Sequence, residues 1–393
     1  MQENTVKNKT AIIIGMANSR HLYNFANSIL ESQGFHEVVI FNVAEMKDIS
    51  DELSDYYKLK AFKIINIKDK IKTPLRQLNS LINFWLRGAV LKKYLKSHGA
   101  FSHCFIHYIA WQSVKWVNEN SHCFDRIYPV AWGGDILRNT RLSNDSFCKL
   151  FLSSYRIVLP NLNSLYVFNK KTDNAFADKA FVIQFPKKMV LNMRNIGNVV
   201  NKQSVKESFS LPEDKLIVIC GHTATRAEQY EQMIASLVKC DEEVLGKCFF
   251  VFMMTYAPDD YVPYQQEMET LLSKTKLSWV VLKDFIPYEK VLELHYVSDI
   301  HITSIVTDAF SCFLQEELIA GSALIYGKWL NYFEIENDNF VSFPFDSFED
   351  MPEVFMRVVK DYKMIAPSLH KNKSGIEKIA SEEAIVNAWS EIL

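Results

Sequence analysis

The sequence predicts an α/β protein of two domains, each a parallel sheet covered by helices on both faces. Three observations carry this. Short apolar runs alternate with amphipathic stretches along the whole chain, the pattern of strands buried on both sides. A polar, Asn-rich stretch from Lys187 to Glu213 interrupts the pattern, and a fresh apolar run opens behind it. At 393 residues the chain also exceeds what one hydrophobic core comfortably organises.

In the first half the candidate strands are AIIIG at 11–15, EVVIF at 37–41, FKII at 62–65, HCFIHY at 103–108, RIYPVA at 126–131, RIVLP at 156–160 and AFVIQF at 180–185. Helices are expected over 22–32 and 73–97. The second has Thr73 to cap it, Pro74 in its first turn, Lys92, Lys93 and Lys96 in its last, and Gly99 to stop it. The second half repeats the winding with LIVIC at 216–220, CFFVFMM at 248–254, SWVVL at 278–282, DIHIT at 299–303 and SALIY at 322–326. Helices are expected between these at 226–238, 264–273, 288–296 and 309–320, with another over 349–362. A terminal helix is opened by the capping-box spacing of Ser374 and Glu377. The expectation is two Rossmann-like domains, 1–200 and 201–372, followed by a terminal helix over 373–393.

Hydrophobic residues at 48% and charged residues at 23% describe a packed globular chain. A net charge of −2 gives no overall basic field, which argues against nucleic acid as a partner. The seven cysteines include no CxxC pair, and several sit in apolar runs, as buried thiols do in a reducing compartment. The N-terminal MQENTVKNKT lacks the apolar core of a signal peptide, and no apolar run reaches the roughly 20 residues of a membrane span. The expected location is therefore cytoplasmic, with any membrane contact peripheral.

Ligands of open parallel sheets lie beyond the carboxyl ends of the strands, which directs attention to two loops of the second half. GHTATR, Gly221 to Arg226, offers a Gly, hydroxyls that include Thr223, and an Arg at a helix start, a set suited to phosphate. The competing reading is an ordinary capped helix. In TSIVTDAFSCFLQEELIAGSALI, a strand passes through Thr307 and Asp308 into a helix expected to begin near Ala309, so that the amides of Ala309, Phe310 and Ser311 face a ligand. Glu316 follows eight positions after Asp308, about 12 Å along a helix, which is about the span from sugar to ribose across a diphosphate. Glu316 would accept the ribose hydroxyls and Asp308 would meet the sugar. The competing reading makes Asp308 an N-cap and Glu316 a solvated helix residue.

The span Trp279 to Ile325 resembles the donor-site region of glycosyltransferase family 4 and its GT-B relatives. The matching parts are FIPYEKV, with Ile286 in the family's G-x-V/I-P loop, then SDIHI, then Asp308, seven residues, Glu316 and Gly321. The first acid is Asp where the family usually has Glu, and GHTATR stands for the family's GR...K loop, leaving Arg226 as its phosphate cation. The layout GHTATR, FMMTYAPDDYVPY, FIPYEKV is also similar to the bacterial dTDP-N-acetylfucosamine transferases, which places Tyr256 and Tyr261 near the donor.

The resemblance implies a GT-B fold, with two Rossmann-like domains facing across a cleft and the terminal helix returning to the first. It implies a glycosyltransferase of bacterial surface polysaccharide synthesis, such as O-antigen or lipopolysaccharide. A nucleotide diphosphate sugar is then the donor, a glycan or lipid-linked oligosaccharide the acceptor, and no cofactor is implied. There is no DxD spacing and no His or Cys cluster, so no metal site is expected. In the first half the resemblance points to Gly15 to Phe25, with His21, and to AWGGDILRN, where Trp132 replaces the His of the family's HGxD and Gly133, Gly134 and Asp135 remain. Asp135 is the first candidate for a carboxylate facing the acceptor hydroxyl, and His21 the second, with His107 behind them; a turn Asp and hydrogen-bonded histidines are the competing readings. Family 4 members retain configuration, and inversion with Asp135 as base is the alternative.

From Lys58 to Lys96 basic residues face Asp69 alone among acids. The helix from Pro74 would place Leu75, Leu78, Ile82, Trp85 and Ala89 on one stripe and Arg76 and Arg87 on another, as in a helix lying on an anionic leaflet at the inner face of the plasma membrane. A solvated basic face is the competing reading. Two rivals to the transferase remain: an epimerase or hydrolase of nucleotide sugars on the same fold, and a glycan- or nucleotide-binding scaffold without turnover.

Overall fold

A computed structural model of the protein describes residues 9–43, 51–66, 76–185, 189–257 and 261–393. The chain forms two compact units, Met1–Pro186 with Glu382–Leu393, and Lys187–Ser381.

Among the described residues the first unit holds seven strands: β1 (Lys9–Gly15), β2 (Phe35–Asn42), β3 (Lys63–Asn66), β4 (Phe101–His107), β5 (Phe124–Val130), β6 (Ile157–Leu159) and β7 (Ala180–Val182). They run parallel in the order β3-β2-β1-β4-β5-β6-β7. β1 shows why its residues are almost all apolar. Ala11 and Ile13 join one core cluster, while Ile12 and Ile14 join the cluster on the opposite face.

The second unit repeats the plan with β8 (Leu216–Cys220), β9 (Cys248–Met253), β10 (Trp279–Leu282), β11 (Ile300–Thr303), β12 (Ala323–Gly327) and β13 (Ser342–Phe345), parallel in the order β10-β9-β8-β11-β12-β13. Ile217 and Ile219 point to one cluster, Val218 and Cys220 to another. In both sheets the winding reverses beside the first strand, between β1 and β4 and between β8 and β11. These are the points at which open α/β sheets bind ligands.

Several elements differ from expectation. β13 was not anticipated, because VSFPF carries a Pro; at a sheet edge, bonded only to β12, the missing N–H costs no ladder bond. The polar stretch read as a boundary contains two helices, Met189–Val199 and Lys202–Ser208. The first packs Val190 and Met193 among Leu314 and Leu318, so the residues after 186 belong to the second unit. The terminal segment is two helices broken at Ser381, not one. His370–Ala380 packs Ile376 and Ala380 in the second unit and starts ahead of Ser374. Glu382–Ile392 lies on the first unit, where the Trp389 ring meets Phe25 with centroids 5.0 Å apart and Tyr128 donates to the Ile392 carbonyl at 3.2 Å.

The helix Arg76–His98 follows the expected span; Thr73, Pro74 and Leu75 lie outside the described residues, as does the side chain of Leu78. Its polar face is not as expected. Arg87 is buried, 7% exposed, and donates to the Val43 carbonyl at 2.9 Å. The exposed side carries Leu81, Trp85, Leu86 and Val90 toward the start of the helix and Lys92, Lys93 and Lys96 toward its end. Among the described residues no helix is long and apolar enough to cross a membrane.

Candidate functional site

At the β8/β11 switch point the two expected loops are tied together. Val306 N donates to the Ala227 carbonyl at 2.8 Å, and Ser304 Oγ to the Glu228 carbonyl at 2.9 Å. Gly221 opens the first loop at φ +59, and a Cβ there would lie 2.4 Å from the Tyr230 hydroxyl, so only Gly fits. The loop amides do not face outward. Gly221 N donates to Ile302 and Ala224 N to Tyr256, while His222 N and Thr223 N both donate to the fully buried Glu228 carboxylate. The Thr223 hydroxyl also donates to Glu228, at 2.8 Å, and His222 Nδ1 approaches it at 3.1 Å. Arg226, at the end of the loop, is held by acids: its guanidinium pairs with Glu231 at 3.0 Å and Glu267 at 2.6 Å over the Tyr264 ring. The amides of His222 and Thr223 and the Thr223 hydroxyl, part of the set expected to meet a phosphate, are thus turned toward Glu228, and Arg226 toward Glu231 and Glu267. Its short stretch of 3-10 helix, Arg226–Glu228, precedes the α-helix Tyr230–Leu237, so the helix predicted over 226–238 is in two parts.

The second loop also departs from expectation. The helix starts at Cys312, not near Ala309, with Ser311 as its N-cap. Asp308 accepts from Ser311 N at 2.8 Å and from the Tyr332 hydroxyl at 2.9 Å, a turn-fixing role close to the competing reading. Phe310 takes φ +55, with its ring buried against Tyr332. Thr307 is exposed and Ala309 half-buried. Since the helix begins after these residues, the 12 Å estimate from helical rise does not apply between Asp308 and Glu316.

Glu316 itself is 3% exposed, which removes the reading of it as a solvated residue. Tyr288 donates its hydroxyl to Oε1 at 2.8 Å, and His295 Nε2 lies 3.3 Å from Oε2. The other His295 nitrogen, Nδ1, meets Glu317 Oε1 at 2.6 Å, and the Ser322 hydroxyl donates to the second oxygen of Glu317. Burial works against a charged imidazole here. Glu317 and Glu316 outweigh it and raise His295 to about 9, so an imidazolium bridges two carboxylates. Phe313 packs its ring against His295, His222 and His301, with centroids 4.3, 5.2 and 5.4 Å away, linking this cluster to the GHTATR loop. Ile286 packs in the core cluster beneath, and Tyr256 is half exposed, 51%, and bonded to the loop through its carbonyl.

In the first unit Asp135 is 5% exposed and accepts from Ile109 N at 2.7 Å and Trp132 N at 2.8 Å. Burial raises its carboxyl above the ordinary range against the pull of those amides. It ties the loops after β4 and β5 together. Gly133 and Gly134 open the short helix Gly134–Leu137 that carries it. His21 packs between Trp132 and Phe185, with centroids 5.0 and 4.5 Å away. Burial and the charge of His21 hold His107 down at about 3.

Tyr288, His295, Glu317 and Glu228 escaped sequence reasoning. HYVSD and QEEL read as helix surface, and only Phe313, apolar one turn before Glu317, hints that this face turns inward. Among the described residues no group of three His, Cys, Asp or Glu side chains is placed to hold a metal ion.

Solved structures share this architecture over nearly the whole chain. A glycosyltransferase from Rickettsia africae ESF-5 is 13% identical, with TM-score 0.69, covering 98% of this chain and 99% of that one. Anabaena HepE in complex with UDP is 11% identical, with TM-score 0.68 and coverage of 97% and 98%. WaaG, a glycosyltransferase involved in lipopolysaccharide biosynthesis, is 12% identical, with TM-score 0.63 and coverage of 97% and 99%. No protein-family profile and no curated protein sequence matches the chain. The fold is GT-B: two parallel Rossmann-like sheets, each wound from its own first strand.

Proposed function

We propose that the chain is a nucleotide-sugar-dependent glycosyltransferase that binds its donor on the second unit and its acceptor on the first. The observation that carries the reading is Glu316, a buried carboxylate braced by Tyr288 and His295 behind the β8/β11 switch point. A carboxylate has lone pairs beyond those two contacts, enough to accept the hydroxyls of a ribose. The HepE structures hold UDP and UDP-glucose, which makes UDP-glucose the first donor to try. Thr307, Ala309, Phe310 and Ser311 then border the diphosphate, and Asp308 shapes their turn, with Gly221, Thr223 and Tyr256 across from them. Asp135 is tied down by two amides, which favours retention over a mechanism with Asp135 as base. A bacterial surface glycan or its lipid-linked precursor is the acceptor class we favour, WaaG being a relative in fold that is involved in lipopolysaccharide biosynthesis. An N-acetylated deoxysugar on dTDP is the finer donor that GHTATR and FMMTYAPDDYVPY favour.

The test is nucleotide diphosphate release from UDP-, GDP- and dTDP-sugars with lipid extract as acceptor, alongside equilibrium binding of UDP-glucose. Glu316→Gln is expected to weaken the binding of the used donor about tenfold or more, the loss of charge-assisted hydrogen bonds to ribose. Unchanged binding in a folded variant would sink the assignment. Release without acceptor points to the hydrolase, and no release with any donor points to the scaffold.

The helix Arg76–His98, with Trp85 57% exposed beside Leu81, Leu86 and Val90 and three lysines after them, fits attachment to an anionic leaflet, with the apolar residues entering the interface. Flotation with anionic vesicles is expected to fall with added salt and to be lost in the triple variant Lys92→Glu, Lys93→Glu, Lys96→Glu. Flotation indifferent to both contradicts this.

A further inference from the structure

The first sheet has its own switch point, between β1 and β4, and beside it lies a cavity of about 310 Å³. Met16 and Val43, just after β1 and β2, line it together with Tyr108 and residues of the helices Arg76–His98 and Trp111–Glu119. One buried side chain opens its polar end on this space. Asn83 is 8% exposed, lines the cavity and makes no side-chain hydrogen bond to any described residue. Its carboxamide keeps its remaining surface there, whereas Ser113 Oγ and Trp116 Nε1 are closed off inside the wall. Buried amides are seldom left unmade, so one that opens on a cavity without a partner marks a ligand that brings the partner with it.

The chemistry of the wall narrows what that ligand is. Gln112 and Tyr108, both more exposed, also line the cavity with side chains that hydrogen-bond to no described residue, so the free polar groups are two carboxamides and a phenol. Arg87 is the one charged group among the described lining residues, and it already donates to the Val43 carbonyl at 2.9 Å. An ion would gain little here. A carboxamide presents donor and acceptor in one plane, which suits the neighbouring hydroxyls of a sugar. The apolar part of the wall suits the C–H face of the same ring: Met16, Tyr108, and a Phe84 stacked on Trp111 and Trp116 with centroids 5.0 and 5.4 Å away. The loop is also set in advance. Tyr108 stands at φ +66, a strained conformation for an aromatic residue, and the Asp135 carboxylate holds the next amide, Ile109 N, at 2.7 Å.

We infer that this cavity binds an uncharged sugar ring of the acceptor, with Asn83 as its hydrogen-bonding anchor. That the ring belongs to the acceptor rests on the glycosyltransferase reading; that the cavity takes a neutral sugar does not.

The test follows saturation transfer from the full chain to the methyl glycosides of glucose, galactose, mannose, N-acetylglucosamine and rhamnose, with methyl β-D-glucuronide as the charged control. At least one neutral glycoside is expected to bind with a Kd of about 1–10 mM, as a single ring does. Asn83→Ala should weaken that binding about tenfold, and Gln112→Ala, at an exposed position, about threefold. Since the Asn83 amide has no partner within the described protein, Asn83→Ala should melt at the temperature of the parent or above it, which an asparagine held for structure would not allow. No binding by any neutral glycoside, full affinity in Asn83→Ala, or a fall of more than about 4 °C in its melting temperature overturns the inference. Glucuronide binding as tightly as the best neutral glycoside overturns its restriction to uncharged rings. No nucleotide sugar enters these measurements, so their failure and that of donor binding are told apart.

Discussion

Glu317→Ala is expected to lower the melting temperature of the second unit by about 10 °C. Glu317 is 0% exposed and meets a His295 that is itself 0% exposed, so removing it leaves a buried imidazolium with only the longer 3.3 Å contact to Glu316. Breaking such a pair costs about 3–5 kcal/mol, and a unit of this size loses about 2–4 °C per kcal/mol. The pH dependence has a definite sign. His295 is raised from 6.5 to about 9, so its contribution is complete below pH 6.5 and is lost as pH rises through 9. Glu317 has its carboxyl lowered: burial pushes it up, and the His295 charge outweighs that. Its contribution is present above the ordinary carboxylate value of 4.5 and is lost at lower pH. The gap between the parent and the variant should therefore be widest between pH 4.5 and 6.5 and close above 9. Calorimetry across that range checks it; a shift under about 3 °C at pH 6, or a gap that grows at pH 10, would show that the pair does not bear on stability.

The same cluster marks the limit of what the residues alone reveal. Strands such as AIIIG and LIVIC were legible because burial on both faces demands unbroken apolar runs, and twelve of the thirteen followed from that rule. Glu316 was singled out by its spacing from Asp308 together with the family resemblance, neither of which anticipated its burial. Its neighbours were not. His295 and Glu317 belong to different helices, and only the winding of the sheet brings Nδ1 within 2.6 Å of the carboxylate. The helix start failed for a related reason: Ser311 and Asp308 are both good caps, and the positive φ at Phe310 that decides between them is set by its burial against Tyr332. The loop GHTATR shows the reverse error. Glycine, hydroxyls and Arg fit a phosphate, but Glu228, seven residues after Gly221, claims two of the amides from inside.

Acid should destabilise the first unit more steeply than the second below pH 6.5. Burial holds His103 at about 4 and His107 at about 3, with the charges of Arg126 and Lys9 adding to the first and His21 to the second. In the second unit His301 lies at about 4, burial outweighing the pull of Glu317. Each is neutral when folded and takes up a proton near 6.5 once unfolded, so between these values the unfolded chain binds more protons and stability falls with falling pH. Two such histidines in the first unit give a slope of up to about 2.7 kcal/mol per pH unit, and the one in the second about half of that. Asp135, its carboxyl raised by burial, works in the opposite sense in the more acid range and tempers the loss. The ring of His107 lies among Phe25 and Trp132, so His107→Leu keeps an apolar contact there and removes one titrating group. Urea midpoints for the first unit at pH 7, 6 and 5 should fall steeply in the parent and about half as steeply in His107→Leu. Equal slopes in the two proteins would mean that the buried ring already carries its proton in the folded state.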